Sequence, residues 1–371
     1  MESRPLPNSI SLFKDKESDS GRPPAGVLSW IFSSLVQTLR QVAGLGGEMP
    51  EPQTNGLLPR FISFLRHGES DFAAPLIATN DSLFGFVLES DRKRVQQFVD
   101  TTLGATSSDI TYRVLGDHVI LLFQHCGHFT SPDNIGWAED RETAILIPLI
   151  EKKPGALLPE KLVIWIPYLM IDVGLGMVTG RDVWGYNKTL GTTKIPNDPG
   201  DKAEFKCQTL IFQTFNRNNQ AKTADLVTVT ATGSMGTLTA VWRDTTELVK
   251  TLRQALGEFR LTWNGAETAF DLVNTLLSRD VPVINLKQMR DSEQTHLASF
   301  QALVETKLEI TRFHGGGPLT GNYQVEFCDC ESHSIPQDFG FKLSNGKMPV
   351  RFAFWAKLDF NAPPGKTVWQ A

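Results

Sequence analysis

The chain contains 371 residues, of which 41% are hydrophobic and 21% are charged, and it carries a formal net charge of -5. A chain of this length and composition can bury a sizeable apolar core and needs neither a disulfide nor a structural metal to fold. Its negative charge supplies no basic surface for nucleic acid or anionic lipid. We therefore expect a folded protein that does not bind nucleic acid.

The four cysteines have neither the spacing of a disulfide framework nor that of a zinc ribbon, which is typical of a protein in a reducing compartment. The apolar stretch 25–36 follows a tract of mixed charge and is too short to span a bilayer. The sequence thus predicts a cytoplasmic protein without stable membrane insertion. It is compatible with a homo-oligomer.

Residues 1–24 are rich in Pro, Ser and alternating charges, which predicts a flexible N-terminal arm. Apolar residues recur at helical spacing from Val27 to Val42, and glycines follow them. This pattern predicts an amphipathic helix within an N-terminal extension, residues 25–78. Core packing explains the helix better than membrane contact, because its polar face is not basic. Residues 79–371 are predicted to form the main domain.

From about residue 80 the sequence is rich in strands. Strands are predicted at 112–124, 143–150, 162–171, 208–214, 225–232, 237–243, 306–313, 321–328 and 349–358, and helices at 91–102, 245–259 and 265–277. Strands and helices do not alternate as in βαβ units, so an antiparallel sheet that closes on itself fits better than a doubly wound fold. The predicted fold class is α+β, mainly β: an antiparallel β-barrel with peripheral helices.

Two further patterns argue against a bound cofactor or metal. Gly174, Gly176 and Gly180 lack the spacing of a dinucleotide loop and predict a hairpin or a bulge. His125 and His128 have no further metal ligands that the sequence identifies, so they are expected to be polar residues at a strand end. The sequence therefore predicts no cofactor and no metal site.

Lys188 has an unusual setting, since it lies among Trp184, Tyr186 and Leu190 instead of in a charged run. A lysine with the ordinary pKa of about 10.4 is almost fully protonated at neutral pH, and the ammonium is no nucleophile. Aromatic and aliphatic neighbours can disfavour the ammonium by desolvation. On composition alone a surface lysine is the simpler interpretation.

The segment 180–191, GRDVWGYNKTLG, resembles the segment of acetoacetate decarboxylases that reads roughly G-R-E-x-x-G/A-Y/F-P-K-K-L-G. In that family the first lysine of the pair forms a Schiff base, and it corresponds to Lys188. Activation of this lysine by desolvation or by a neighbouring cation is established for acetoacetate decarboxylase. The resemblance extends more loosely over residues 80–360 and implies the β-barrel of that family.

The resemblance also implies residues that line the pocket. The family has two pocket glutamates, whose counterparts by spacing are Gln124 and Glu139. Glu139 is the predicted catalytic acid or base beside Lys188. Gln124 is predicted to contact substrate, and Trp184 and Tyr186 are predicted to form a desolvating wall.

Two positions depart from the family's pattern. Thr189 replaces the second lysine, and it is predicted to contact substrate. Asp81 stands where the family has the arginine that pairs with the substrate carboxylate. Acetoacetate itself is therefore a doubtful substrate. Lys188 must rely on burial, or on Lys194 or Arg181 reaching into the site, to become neutral.

The implied function is a cofactor-independent lyase or decarboxylase that forms a Schiff base with a β-keto acid or a related ketone, in secondary metabolism. The iminium withdraws electrons from the adjacent carbon, so CO2, an aldehyde or a proton can leave, and an acid such as Glu139 can protonate the enamine. An aldolase or dehydratase on the same fold, and a binding protein that has lost catalysis, are the alternatives.

A different class of enzyme is indicated by two histidine motifs. The stretch 64–70, FLRHGES, resembles the R-H-G-E box of histidine phosphatases, and 312–317, RFHGGG, resembles their later histidine. His67 would accept the phosphoryl group and His314 would assist it. Ala73 stands where the box usually has an asparagine, and the α/β layering of that fold is not predicted, so we rank this alternative lower.

Overall fold

The fold belongs to the compact unit Ser63–Ala371. A computed structural model describes residues 58, 61, 71–106, 109–132, 136–153, 161–196, 204–232, 242–244, 247 and 280–371. Five predicted features lie wholly or mostly outside the described residues: the arm 1–24, the amphipathic helix of residues 27–42, the strand 237–243, and the helices 245–259 and 265–277.

The described residues contain fourteen strands in one sheet. They are β1 Leu76–Glu89, β2 Thr111–Val114, β3 His118–Thr130, β4 Trp137–Lys152, β5 Lys161–Ile171, β6 Lys188–Lys194, β7 Phe205–Ile211, β8 Lys222–Thr232, β9 Asp280–Arg290, β10 Ala298–Pro318, β11 Asn322–Phe327, β12 Lys347–Pro349, β13 Phe352–Ala362 and β14 Lys366–Gln370. The predicted fold class, mainly β with peripheral helices, is confirmed.

The described helices are short and lie between strands. They are α1 Arg92–Thr102, α2 Gly174–Thr179, a π-helical turn Gly180–Trp184, a 3-10 turn Glu331–His333 and α3 Ile335–Phe339. The side chain of Asp91 caps the N-terminus of helix α1, since its Oδ1 accepts hydrogen bonds from the backbone N–H groups of Lys93 and Arg94. Among the described helices, none has the length and apolar character that crossing a membrane requires.

The hairpin or bulge predicted at Gly174 is wrong, because residues 174–179 form helix α2. Gly176 and Gly180 serve close packing instead of a turn, whereas a Cβ atom at Gly174 would meet nothing within 4 Å. A Cβ atom at Gly176 would lie 2.6 Å from Cδ1 of Ile171 and 3.2 Å from Oδ2 of Asp140. Only a residue without a side chain lets α2 approach β4 and the end of β5 this closely.

Seven strands pair in a closed circuit. The order is β4, β3, β1, β13, β10, β9 and β5, and β5 pairs back with β4. All of these pairings are antiparallel except that of β5 with β9, where Ile164 and Trp165 lie opposite Val283 and Ile284. Further along β5 a second parallel pairing, through Leu169–Ile171, holds β6, from which β7, β8, β11 and β12 continue the sheet. The sheet thus closes on itself as predicted, with two parallel contacts at β5.

The strands of the circuit are apolar on both faces. The main core lies on one face and includes Phe84, Phe86, Leu121, Phe123, Ile145, Ile147, Trp165, Phe205, Val227, Tyr323 and Val325. The second cluster lies on the other face and comprises Ala144, Ile164, Ile166, Leu169, Ile171, Trp184, Tyr186, Val283 and Ala362. Since neighbouring residues of a strand point to opposite faces, Ala144 and Ile145 of β4 belong to different clusters.

The connection from the π-helical turn to β6 depends on Gly185. Its φ is +78°, and a Cβ atom there would lie 2.5 Å from Cβ and 2.8 Å from the backbone N of Lys287 in β9. Both the positive φ and the close approach require glycine. This residue therefore fixes the path of the chain as it enters β6.

We expect Gly185→Ala to lower the free energy of unfolding by about 2–4 kcal/mol, because it adds strain at a positive φ and a collision with the backbone of β9. Urea denaturation measures the change. Gly174→Ala is the matched control, since a Cβ atom at Gly174 meets nothing within 4 Å. Equal effects of the two substitutions would contradict this account of Gly185.

Candidate functional site

Lys188 is the first residue of β6, and its ammonium forms an ion pair inside the protein. Its Nζ lies 2.5 Å from Oε1 of Glu142 in β4. The exposed fractions of the two side chains are 11% and 12%, so both charges are largely removed from water. Such a contact offsets part of the cost of burying each charge.

The segment before Lys188 shapes the path of its side chain. A Cβ atom at Gly180 would lie 2.6 Å from Cε and 2.7 Å from Cδ of Lys188, so the lysine chain runs directly over this glycine. The guanidinium of Arg181 donates a hydrogen bond of 3.0 Å to the carbonyl oxygen of Lys188. Nζ also lies 5.8 Å from the centre of the Tyr186 ring. The segment 180–188 thus packs closely around the side chain of Lys188 and fixes the position of its amine.

Strand pairing brings four polar side chains onto the same face. Gln124 of β3 lies opposite Glu142 of β4. In the adjacent row Cys126 lies opposite Asp140 on β4 and opposite Asp81 on β1. Residues two apart on a strand share a face, so Asp81, Asp140, Gln124 and Glu142 all face the same side. Ala144, two residues after Glu142, places them beside the second cluster.

Asp81 is fully buried, with no exposed surface. Its Oδ2 accepts a hydrogen bond of 3.2 Å from Nε2 of Gln124, whereas its Oδ1 has no hydrogen-bond partner among the described residues. Burial raises the pKa of Asp81 well above its ordinary value, and the charges of Asp140 and Glu142 raise it further. The carboxyl group therefore keeps its proton to a higher pH than an exposed aspartate does.

Asp140 is also buried, with 7% of its surface exposed. Burial raises the pKa of Asp140 well above the ordinary value, and the charge of Glu142 adds to the effect. The charge of Lys188 acts in the opposite direction. Asp140 thus keeps its proton to a higher pH than an exposed aspartate does.

Aromatic side chains form the wall behind the lysine. Trp184 and Tyr186 are buried, with ring centres 6.3 Å apart, and the indole N–H of Trp184 donates a hydrogen bond of 2.8 Å to the carbonyl of Pro363. Burial and the charge of Glu142 raise the pKa of Tyr186, so its phenol stays neutral. Asn285 of β9 lies beside this phenol with 1% of its surface exposed, and its Nδ2 lacks a partner in hydrogen-bonding geometry among the described residues.

Two residues expected at the site lie elsewhere. Glu139 is 43% exposed at its side chain, and its Oε1 contacts His125 at 2.9 Å and Arg141 at 2.8 Å. Alternation along β4 turns Glu139 and Arg141 away from the face that carries Glu142. Thr189 is exposed and, as the neighbour of Lys188 in β6, points to the opposite face. The structure therefore brings Gln124, Trp184 and Tyr186 to the lysine, but not Glu139 or Thr189.

Glu142 and Asp140 are the residues that the sequence interpretation missed. Their common face with Ala144 was readable from their spacing, but residues 143–150 are apolar at nearly every position. A strand buried on both faces gives no alternation, and nothing in the pattern then distinguishes the face of Glu139 from that of Glu142.

The histidine motifs do not converge on a reactive group in the described residues. His314 of β10 lies with Nε2 2.9 Å from Oδ1 of Asp359, and His67 lies outside the described residues. His128 stacks on Trp137, with ring centres 5.1 Å apart, while His125 contacts Glu139. Within the described parts of the chain no three His, Cys, Asp or Glu side chains form a group that could hold a metal ion.

No protein-family model and no curated protein matches the chain. Among solved structures, acetoacetate decarboxylase from Legionella pneumophila subsp. pneumophila str. Philadelphia 1 matches with a TM-score of 0.52 and 17% sequence identity, over 85% of this chain and 92% of that chain. The chain has the acetoacetate decarboxylase fold. The fold predicted from the segment 180–191 is thereby confirmed.

Two other structures of the same kind match less well. One is described as acetoacetate decarboxylase, with a TM-score of 0.49 and 13% identity over 80% of this chain and 91% of that chain. The other is an acetoacetate decarboxylase-like enzyme from Sphingomonas wittichii RW1, with a TM-score of 0.47 and 12% identity over 80% and 94% of the two chains.

The buried carboxyl of Asp81 makes the stability of the fold depend on pH. Its folded pKa lies above the unfolded value, so the folded state loses stability as the pH rises from the unfolded pKa through the folded one. We expect Asp81→Asn to remove this loss, which amounts to about 1.4 kcal/mol per unit of pKa elevation. The gain in unfolding free energy should be small near pH 4 and larger at pH 7, as measured by urea denaturation.

Asp225→Asn is the matched control for this measurement. Asp225 also accepts a hydrogen bond from a glutamine, Gln208, but it lies at the surface and its pKa is lowered by that bond and by Lys206. Its contribution is present at neutral pH and is lost as the pH falls through its folded pKa, so the sign is opposite. A difference between wild type and Asp81→Asn that does not vary with pH would show that Asp81 is not held above its ordinary pKa.

Proposed function

We propose that the protein is a lyase that forms a Schiff base between Lys188 and a carbonyl substrate. The observation that carries the proposal is the pairing of one amine with a carboxylate, at 2.5 Å, in an interior lined by Trp184 and Tyr186. A lysine that served only as a surface charge would not need this setting. The acetoacetate decarboxylase fold supports the same class of chemistry by analogy.

The first step requires the amine to lose a proton. Glu142 accepts a hydrogen bond from Nζ of Lys188, so it can take the proton directly when a substrate carbonyl approaches. The neutral nitrogen then attacks the carbonyl carbon, and the carbonyl oxygen becomes a hydroxyl by accepting a proton. This places Glu142 in the role that the sequence interpretation gave to Glu139.

The second step expels water. The carbinolamine hydroxyl leaves with a proton supplied by a carboxyl group, and the nitrogen lone pair forms the C=N bond of the iminium. The iminium accepts the electron pair of a bond to the adjacent carbon. Loss of CO2, an aldehyde or a proton from that carbon leaves the same enamine, so one site supports decarboxylase, aldolase and dehydratase variants.

The last steps return the proton and free the enzyme. Asp140 favours its protonated form, and its position two residues from Glu142 makes it the proposed acid for the enamine carbon. Protonation regenerates the iminium, which water then hydrolyses to release product and restore Lys188. Gln124 would orient the substrate by hydrogen bonding, since an amide cannot exchange the proton.

The proposed nucleophile is tested by reduction with borohydride in the presence of a panel of ketones. We expect one covalent adduct on Lys188 in intact-protein and peptide mass spectra, and none at this site in Lys188→Met. Lys194→Met is the control, because Lys194 lies on the same strand but is 64% exposed at its side chain and pairs with Glu204. Adduct formation that is indifferent to Lys188→Met would refute the proposal.

The proposed base is tested by two isosteric substitutions on one strand. We expect Glu142→Gln to slow adduct formation by about 100-fold or more, in line with the usual contribution of a general base. Glu139→Gln should have little effect, because Glu139 contacts His125 and Arg141 on the other face. Initial rates at saturating borohydride measure both. The reverse ranking would restore Glu139 as the catalytic carboxylate.

The position of the Lys188 side chain is tested by a substitution at Gly180, which leaves Lys188 and Glu142 in place. A Cβ atom at Gly180 would collide with the Cδ and Cε atoms of Lys188, so Gly180→Ala should displace the amine and lower the rate of adduct formation by about tenfold. Gly174→Ala is the control, because Gly174 lies in the preceding helix α2 and has room for a methyl group. Equal rates for the two variants would mean that the position of Nζ is not critical.

A further inference from the structure

The interior around Lys188 contains more carboxyl groups than cations. Asp81, Asp140 and Glu142 act on one another electrostatically, and Lys188 is the amine among them. Glu142 occupies that amine at 2.5 Å. Of the neighbouring arginines, Arg141 contacts Glu139, and Arg181 donates to the carbonyl of Lys188. Among these described residues, no cation is both buried and without a carboxylate partner, since Arg181 is exposed and Arg141 and Lys188 are paired.

One atom in this interior lacks a partner. Oδ1 of Asp81 is buried and forms no hydrogen bond with any described residue, while Oδ2 of the same group is held by Gln124. A buried polar atom without a partner costs about 1–3 kcal/mol. A ligand that donates a hydrogen bond to Oδ1 would remove this cost, which favours its binding. The strand rows direct Asp81 to the same face as Glu142 and thus to the proposed reaction site.

We propose that the substrate carries, beside its reacting carbonyl, a hydrogen-bond donor without negative charge, a hydroxyl or an ammonium group, and that Asp81 receives it. This inference rests on the proposed function, because it assigns the substrate class of the Lys188 site. A hydroxyl or ammonium group donates to Oδ1 of Asp81 and satisfies it. A substrate carboxylate at the same place would meet the negative charge of Glu142, whose partner Lys188 is already paired with it.

Asn285 of β9 supplies a second polar group for the same class of ligand. Its side chain is buried beside the phenol of Tyr186, and the ring of Tyr186 lies 5.8 Å from Nζ of Lys188. The Asn285 amide can donate to the oxygen of a hydroxyl or of the reacting carbonyl. A small polyfunctional ketone therefore finds an acceptor at Asp81 and a donor at Asn285. Such a ligand favours release of an aldehyde or a proton over release of CO2.

Three ketones that differ in one substituent test the proposal: hydroxyacetone, aminoacetone and pyruvate. Each is reacted with wild type and with Asp81→Asn under borohydride, and each rate is divided by the rate for a free model amine, which removes intrinsic reactivity. In wild type we expect the corrected rate with hydroxyacetone or aminoacetone to exceed that with pyruvate. Asp81→Asn should reduce this preference by about tenfold, a factor that corresponds to ~1.4 kcal/mol.

Asp225→Asn serves as control, since it removes a surface aspartate with the same kind of glutamine contact and should leave all three rates unchanged. A preference for pyruvate in wild type, or a preference that Asp81→Asn does not alter, overturns the substrate class. The ketone whose corrected rate falls more in Asp81→Asn, hydroxyacetone or aminoacetone, identifies whether Asp81 receives a hydroxyl or an ammonium group.

Thermal stabilisation by the same ketones, without borohydride, separates the two possible failures. Binding to the folded state stabilises it by RT ln(1 + [L]/Kd) and so raises the melting temperature, whether or not an adduct forms. If no ketone gives an adduct on Lys188 but hydroxyacetone or aminoacetone stabilises wild type and not Asp81→Asn, the Schiff-base function fails and the ligand class stands. If adducts form and only pyruvate stabilises, the function stands and the ligand class fails.

Discussion

The ion pair of Lys188 and Glu142 joins two strands that do not pair with each other over these residues. Glu142 lies opposite Ile171 on one side of β5, and Lys188 lies opposite Leu169 on its other side. The pair spans the end of β5, just beyond the point where this strand leaves β9 at Trp165. Removing one partner from such a buried pair typically costs about 3–5 kcal/mol, so the end of the circuit depends on it.

Apolar side chains on both faces of the circuit shield the ion pair of Lys188 and Glu142 from solvent. The main core covers one face of β1, β3 and β4, and the second cluster covers the other beside the carboxyl groups. Large rings such as Phe86 and Phe123 fix the strands from the far side, with ring centres 6.0 Å apart. The polar side chains on β1, β3 and β4 can therefore keep their positions, although Oδ1 of Asp81 forms no hydrogen bond with a described residue.

Local and long-range signals differ in what the sequence could predict. Lys188, Trp184 and Tyr186 were found because one continuous segment, 180–191, carries them. The counterpart of the second glutamate was sought by spacing from Gln124, and this pointed to Glu139. Strand register decides otherwise, since Gln124 lies opposite Glu142 and the irregularity between Cys126 and Phe129 alters the spacing between the strands. The role of Asp81 required the pairing of β1 with β3, which no local pattern encodes.

In the proposed reaction, the carboxyl groups around Lys188 affect proton transfer, because the charge on the lysine nitrogen changes from step to step. Schiff-base formation converts an ammonium into an iminium, and the net positive charge near Glu142 is unchanged. Stabilising both equally does not by itself accelerate the reaction. The enamine is neutral, so at that stage Asp140 loses the cation that lowers its pKa and holds its proton more firmly. Transfer of this proton to carbon restores the iminium and creates the carboxylate together, so that the two new charges stabilise each other as they form. In the proposed reaction, the cluster that disfavours an anionic substrate thus also provides the proton that completes the turnover.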